Sequence, residues 1–120
     1  MLNTSFSPWP SFSQEEADAV TSVLLSNKVN YWTGQECRTF EQEFSEWVGC
    51  EHSVAVANGT LALDLALKAL DIGRGDEVVV TPRTFLASVS SVVTAGAIPV
   101  FADVDLNSQN IEAEFIEKVI

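Results

Sequence analysis

The chain has 120 residues, enough for one small domain, of which 47% are hydrophobic, 9% aromatic and 19% charged. Six basic residues stand against 17 acidic ones, a net charge of −11 that repels nucleic acid and anionic membrane surfaces and argues against both as partners. Cys37 and Cys50 are too few and too widely spaced for a disulfide framework or a metal site and point to two reduced thiols in a cytoplasmic protein, while His52 has no ligand-type neighbour and belongs to the surface or the scaffold.

Met1–Pro10 has neither a basic n-region nor an apolar h-region, so no secretory signal is expected, and Ser5–Phe12, rich in serine, proline and aromatics, should be irregular. Gln14–Ser26 carries Ala17, Val20, Val23 and Leu24 at helical spacing, with Ser13 as the N-cap. Asn27–Gln35 has no usable period and reads as a loop displaying Tyr31 and Trp32. A second helix follows with Phe40, Phe44, Trp47 and Val48 on one face, and Gly49 ends it.

Ser53–Ala57 reads as a short strand, Asn58-Gly59-Thr60 as the turn after it, and Thr60–Leu70 as a helix apolar nearly all round. Such a joint is where α/β proteins hold phosphate, because the first turn of a helix has free N–H groups and a dipole that favours an anion. Gly59 permits close backbone approach and the Thr60 hydroxyl adds a hydrogen bond. Most strand–turn–helix joints bind nothing, so the joint alone is a weak signal. Asp64 and Lys68 break the apolar helix at i and i+4, a favourable pairing, and the rest of its surface calls for burial on most sides.

Gly73, Gly75 and Asp76 form the return turn into a β-branched strand, Glu77–Thr81. Thr84–Ala95 suits a helix packed closely on a sheet, capped by Gly96, and Ile98–Val104 is the next strand. Thr84–Ala102 is uncharged, but Ser88, Ser90, Ser91, Gly96 and Pro99 argue against a membrane span. After a turn at Asp105–Asn110, Ile111–Ile120 begins a further helix. Strands and helices alternating at this spacing predict βαβ units and a mostly parallel sheet flanked by helices, an α/β fold. Three strands cannot cover helices so apolar, so the segment is expected to be the N-terminal part of a longer protein.

Several ordered motifs now meet. Asn58-Gly59-Thr60-Leu61-Ala62-Leu63, Gly73-Arg74-Gly75-Asp76-Glu77-Val78, Thr84-Phe85 and Gly96-Ala97-Ile98-Pro99-Val100-Phe101 resemble the DegT/DnrJ/EryC1/StrS family of pyridoxal-phosphate-dependent sugar aminotransferases. Upstream, Tyr31-Trp32-Thr33-Gly34 followed by Phe40-Glu41 is similar to that family's N-terminal signature. The resemblance runs from about Asn30 to Ile120, with looser similarity back to Phe6.

The resemblance implies the N-terminal part of the large domain of a fold type I aminotransferase: residues 1–36 as arm, helix and substrate loop, and 37–120 as the start of the cofactor-binding domain. It implies pyridoxal 5′-phosphate held at Asn58, Gly59 and Thr60, with Phe85 against the ring, and a nucleotide-linked sugar contacted by Tyr31, Trp32, Thr33 and Gly34. It further implies a cytoplasmic homodimer that moves an amino group, commonly from glutamate, onto a keto sugar for polysaccharide or related amino-sugar synthesis. The Schiff-base lysine and the acidic partner of the pyridinium nitrogen lie beyond Ile120 in that family. Lys68 and Lys118 are helix-surface residues, Asp103 and Asp105 match a strand-ending acidic pair, and the 120-residue piece alone is expected to be inactive.

Two alternatives stay open at this point. Some members of that family dehydrate the sugar, using a histidine in place of the lysine, and a relative could keep the fold as a regulatory or binding protein. A dinucleotide site is disfavoured, because Asn58-Gly59-Thr60 lacks the G-x-G-x-x-G spacing.

Overall fold

The α1 helix, Gln14–Leu25, starts where its sequence places a cap. Ser13 Oγ accepts the Glu16 N–H at 3.2 Å and Glu16 Oε2 accepts the Ser13 N–H at 2.6 Å, a reciprocal capping box that satisfies two donors otherwise left open. The computed structural model describes residues 8–120; Ser5–Ser7 of the expected irregular segment lie outside them, and Pro8–Phe12 forms neither helix nor strand. Helix α2, Glu36–Val48, ends at Gly49 in the left-handed conformation, as its sequence requires.

The chain divides into two compact units, Met1–Ala55 and Val56–Ile120. The first holds α1, α2 and the loop between them; the boundary expected after residue 36 falls at the first residue pair of α2. The second unit holds α3 (Gly59–Ala69), β1 (Glu77–Val80), α4 (Ala87–Ala95), β2 (Ile98–Phe101) and a short α5 (Ala113–Ile116).

Strands β1 and β2 pair in parallel, with Glu77 opposite Ile98 and Val80 opposite Phe101, and α4 is the crossover between them. The helix packs on both strands and on α3, and the core gathers there: Ala87, Val92, Ala97 and Ala102 are buried. Small residues on α4, with Ser91 also buried, allow the close approach that its sequence pattern predicts. Gly96 closes α4 at φ 85°, a conformation costly for any residue with a Cβ, and Ala97 N–H donates back to Val92 O at 3.1 Å. The α/β βαβ expectation is therefore met.

Four sequence-based expectations are corrected. Ser53–Ala57 is not a strand: among the described residues no neighbouring strand pairs with it, and the Ala55 N–H donates to the Glu41 side chain instead. Thr84–Leu86 stay outside α4, which begins at Ala87, and β2 stops at Phe101, leaving Val104 in an isolated antiparallel bridge with Ile111. The helix expected over 111–120 is confined to Ala113–Ile116. Glu112 provides no side-chain cap there, and Ile111 is drawn into the bridge rather than a helical turn.

Helix α3 forms but is not enclosed: none of its residues is fully buried, and Leu61 is 46% exposed. A two-stranded sheet and one neighbouring helix offer too little surface to cover a helix apolar on so many sides. The expected Asp64–Lys68 pair is also absent. Both side chains line a cavity of about 290 Å³ with Asp71, Ser91 and Thr94, and Asp64 Oδ1 is buried there without a hydrogen-bond partner.

Candidate functional site

The first candidate element is the entry to α3. Asn58 is extended and caps the helix: its Oδ1 accepts the Leu61 N–H at 3.1 Å, while its main-chain O accepts the Ala62 N–H at 3.1 Å. The Gly59 and Thr60 N–H groups precede the first i→i−4 bond and have no partner inside the helix. A Cβ built on Gly59 would meet nothing within 4 Å, so the backbone stands open on that side. Thr60 is half-buried with its hydroxyl at the same turn. Free N–H groups, the positive end of an 11-residue helix, a hydroxyl and unobstructed backbone suit a phosphate monoester.

Phe85 lies between β1 and α4, 77% exposed, and its carbonyl accepts the Ser88 N–H at 3.1 Å. Thr84 Oγ1 and Ser88 Oγ lie 2.8 Å apart across the same turn. The ring is thus fixed at its backbone and free on its face, unlike a core phenylalanine.

The second candidate element is the loop before α2. Asn30 Oδ1 accepts from the Trp32 N–H, the Thr33 N–H and the Thr33 hydroxyl at 3.0, 3.1 and 3.2 Å, which coils residues 30–33 around one side chain. The Gly34 N–H then donates to Asn30 O at 2.7 Å. Gly34 is buried, and a Cβ there would come within 2.5 Å of Lys28 O and 2.9 Å of Asn30 O. It shapes the loop rather than lining its outer face. Trp32 is 83% exposed and Tyr31 44%.

Sequence reasoning assigned no role to Asn30 or Glu41. Asparagine's habit of bonding backbone N–H groups two and three residues on was a usable signal for the first. For Glu41 there was only its place in the Phe40-Glu41 motif, because its partners are remote in sequence. Its carboxylate receives the Tyr31 hydroxyl at 3.2 Å and the Ala55 N–H at 2.9 Å.

The acidic pair after β2 behaves as scaffold. Asp105 Oδ1 accepts the Asn107 and Ser108 N–H groups at 2.9 and 2.7 Å, and these bonds, Ser108's foremost, hold its carboxyl below the usual carboxylate range. Lys118 pairs with Glu114 at 2.8 Å and is a surface residue, as is His52, 3.5 Å from Glu51. Both cysteines are exposed and unbridged, and no cluster of metal-ligating side chains is present among the described residues.

The sequence signature of the DegT/DnrJ/EryC1/StrS aminotransferase family matches residues 10–120. The chain belongs to that family. Curated relatives include the spore coat polysaccharide biosynthesis protein SpsC of Bacillus subtilis (strain 168), 42% identical over 111 residues, which are 92% of this chain and 28% of that protein. GDP-perosamine synthase of Vibrio cholerae is 42% identical over 103 residues, 86% of this chain and 27% of that protein. Among solved structures, an aminotransferase from Psychrobacter cryohalolentis superposes with a TM-score of 0.91 at 67% identity, covering 97% of this chain and 29% of that one. The pyridoxal-phosphate form of the putative sugar aminotransferase Spr1654 from Streptococcus pneumoniae gives 0.80 at 31% identity, covering 98% and 29%.

This DegT/DnrJ/EryC1/StrS chain thus spans less than a third of the length of these relatives. The family is pyridoxal-phosphate-dependent, and its members include sugar aminotransferases. The open turn at Gly59 and Thr60 fits the cofactor's phosphate. No helix among the described residues is long and apolar enough to cross a membrane.

Proposed function

We propose that the protein to which this chain belongs transfers an amino group from glutamate to a keto group of a nucleotide-linked sugar, in a cytoplasmic homodimer serving polysaccharide or related amino-sugar synthesis. The observation that carries the reading is the capped, open entry of α3 in a chain of this family. Gly59 and Thr60 bind the cofactor phosphate through main-chain N–H groups and a hydroxyl, and Asn58 holds the turn in shape. Phe85 presents its face to the pyridine ring. Pyridoxal phosphate, when bound, supplies the electron sink for moving the amino group. Tyr31–Gly34 form the substrate loop, Trp32 and Thr33 by contact and Gly34 by shape. The nucleotide sugar and the polysaccharide destination draw support from the two curated relatives.

The division into 1–36 as arm and substrate loop and 37–120 as the start of the cofactor domain is part of the same proposal. A polypeptide of these 120 residues alone lacks the lysine that would hold the cofactor covalently, and is inactive. The test uses the full-length protein with pyridoxal phosphate, glutamate and keto-hexoses carried on GDP, UDP or dTDP. Expected are the absorbance of protein-bound cofactor and a nitrogen-containing sugar nucleotide in the mass spectrum, formed with 2-oxoglutarate. A product that has lost a hydroxyl without gaining nitrogen would show the dehydratase instead, and cofactor absorbance absent after reconstitution would sink both.

A further inference from the structure

Glu41 sits on α2 and faces two segments remote from it in sequence. Its Oε2 accepts the Tyr31 hydroxyl at 3.2 Å and its Oε1 the Ala55 N–H at 2.9 Å, while its main-chain O accepts the Ser53 hydroxyl. Tyr31 is held on its other sides too. The Arg38 guanidinium lies over its ring, 5.0 Å from the centroid, and the Trp32 ring meets it edge-on at 6.0 Å and 86°. Arg38 and Glu41 are one turn apart on α2, so one helix face grips the tyrosine by ring and hydroxyl together.

The phenol donates its single proton to Glu41, and its ring is taken on one face and on its contact with Trp32. Trp32, by contrast, is 83% exposed and its N–H backbone is anchored by Asn30. We infer that Glu41 is a positioning residue for the substrate loop: its carboxylate fixes Tyr31, Tyr31 braces the Trp32 ring, and Trp32 is the surface on which the nucleotide sugar stacks. The inference rests on the reading of Tyr31–Gly34 as the substrate loop and specifies how that loop is held. A carboxylate is the group the position needs. It accepts the hydroxyl and the amide N–H on separate charged oxygens, whereas a carboxamide in the same place keeps one acceptor oxygen and meets the phenol as a neutral donor, a weaker bond.

The experiment uses the full-length holoenzyme with glutamate and whichever keto-hexose on GDP, UDP or dTDP the wild type turns over. Glu41→Ala is expected to raise KM for the sugar nucleotide about tenfold, the scale of one lost charge-assisted hydrogen bond, with kcat, KM for glutamate and cofactor absorbance unchanged. Glu41→Gln should fall between Ala and wild type, and Tyr31→Phe should raise the same KM. Adding Tyr31→Phe to Glu41→Ala should cost nothing further, since both act through one contact. An unchanged KM in Glu41→Ala, a loss confined to kcat, or additive effects in the double variant would overturn the inference. Where Glu41→Ala does not accumulate in soluble form, Glu41→Gln and Tyr31→Phe carry the same comparison. A wild type inactive on all three carriers sinks the function proposed above but not the brace. That is then decided by amide hydrogen exchange over residues 30–34 of the holoenzyme, expected to be faster in Tyr31→Phe; equal exchange overturns it.

Discussion

Asn58 Oδ1 accepts the Leu61 N–H at 3.1 Å, so the side chain that precedes α3 occupies the third N–H of the helix and leaves the first two facing outward. Capping and anion binding are thereby shared out along a single turn. Asn58→Ala should cost about 1 kcal/mol of stability, the usual worth of an N-cap. It should also loosen the cofactor, because the Gly59 and Thr60 N–H groups lose their fixed direction. Thermal melting of the full-length apo- and holoprotein checks both: a variant destabilised equally in the two forms would confine Asn58 to capping.

Thr60→Val keeps the shape of the side chain and removes the hydroxyl. Loss of one hydrogen bond to an anion is worth about 1.5–3 kcal/mol, or roughly ten- to hundredfold weaker retention of pyridoxal phosphate. Cofactor dissociation followed by absorbance measures it directly, and undiminished retention would remove Thr60 from the phosphate site.

Gly34→Ala would place a methyl group 2.5 Å from Lys28 O and 2.9 Å from Asn30 O, and both obstacles are main chain that cannot rotate away. A destabilisation of about 1–3 kcal/mol is expected from such overpacking. The loop must then shift, so KM for the sugar nucleotide should rise while cofactor retention stays as it was. Denaturant titration and steady-state kinetics on the same preparation check the two parts.

The capping box of α1 is sensitive to acid. Glu16 has its carboxyl held below its ordinary 4.5, first by the Ser13 N–H and then by the Ser13 hydroxyl. A lowered value in the folded state means that the bond's contribution is present above the unfolded value. It is lost as pH falls through the lower folded one. Circular dichroism of a peptide spanning residues 11–28 should therefore show helicity falling on acidification below pH 4.5, and Glu16→Gln, which removes the titrating carboxyl, should flatten that dependence. A pH-independent signal in the unsubstituted peptide would count against the box.

Expressed as these 120 residues alone, the chain is expected to aggregate or to bind other chains. Leu61, Leu63 and Leu65 of α3, Val93 of α4 and Ile98 and Phe101 of β2 are all substantially exposed, and among the described residues no further strand pairs with either edge of the two-stranded sheet. Its net charge of −11 slows association without covering that surface. Size-exclusion chromatography with thermal unfolding decides it: a monomer with a cooperative transition would contradict the expectation.

Local chemistry made much of the chain legible in advance. Ser13, Gly49 and Gly96 mark helix ends through bonds to residues three to five positions away, and these were where the sequence placed them. The Asn58-Gly59-Thr60 turn was legible as a helix entry on the same ground, but Asn58's service as its cap, one residue earlier than the expected start at Thr60, was not read from the sequence. Features that depend on remote partners were not legible. Ser53–Ala57 has the composition of a strand but no paired neighbour, and Asp64 and Lys68 have the spacing of an ion pair but line a cavity instead. The clasp of Glu41 on Tyr31 and Ala55 joins residues 10 and 14 positions from it, a meeting that no local periodicity encodes. Short-range hydrogen bonding is written into the order of residues, whereas a carboxylate's choice among distant donors is made only when the chain brings them within 3 Å or so of it.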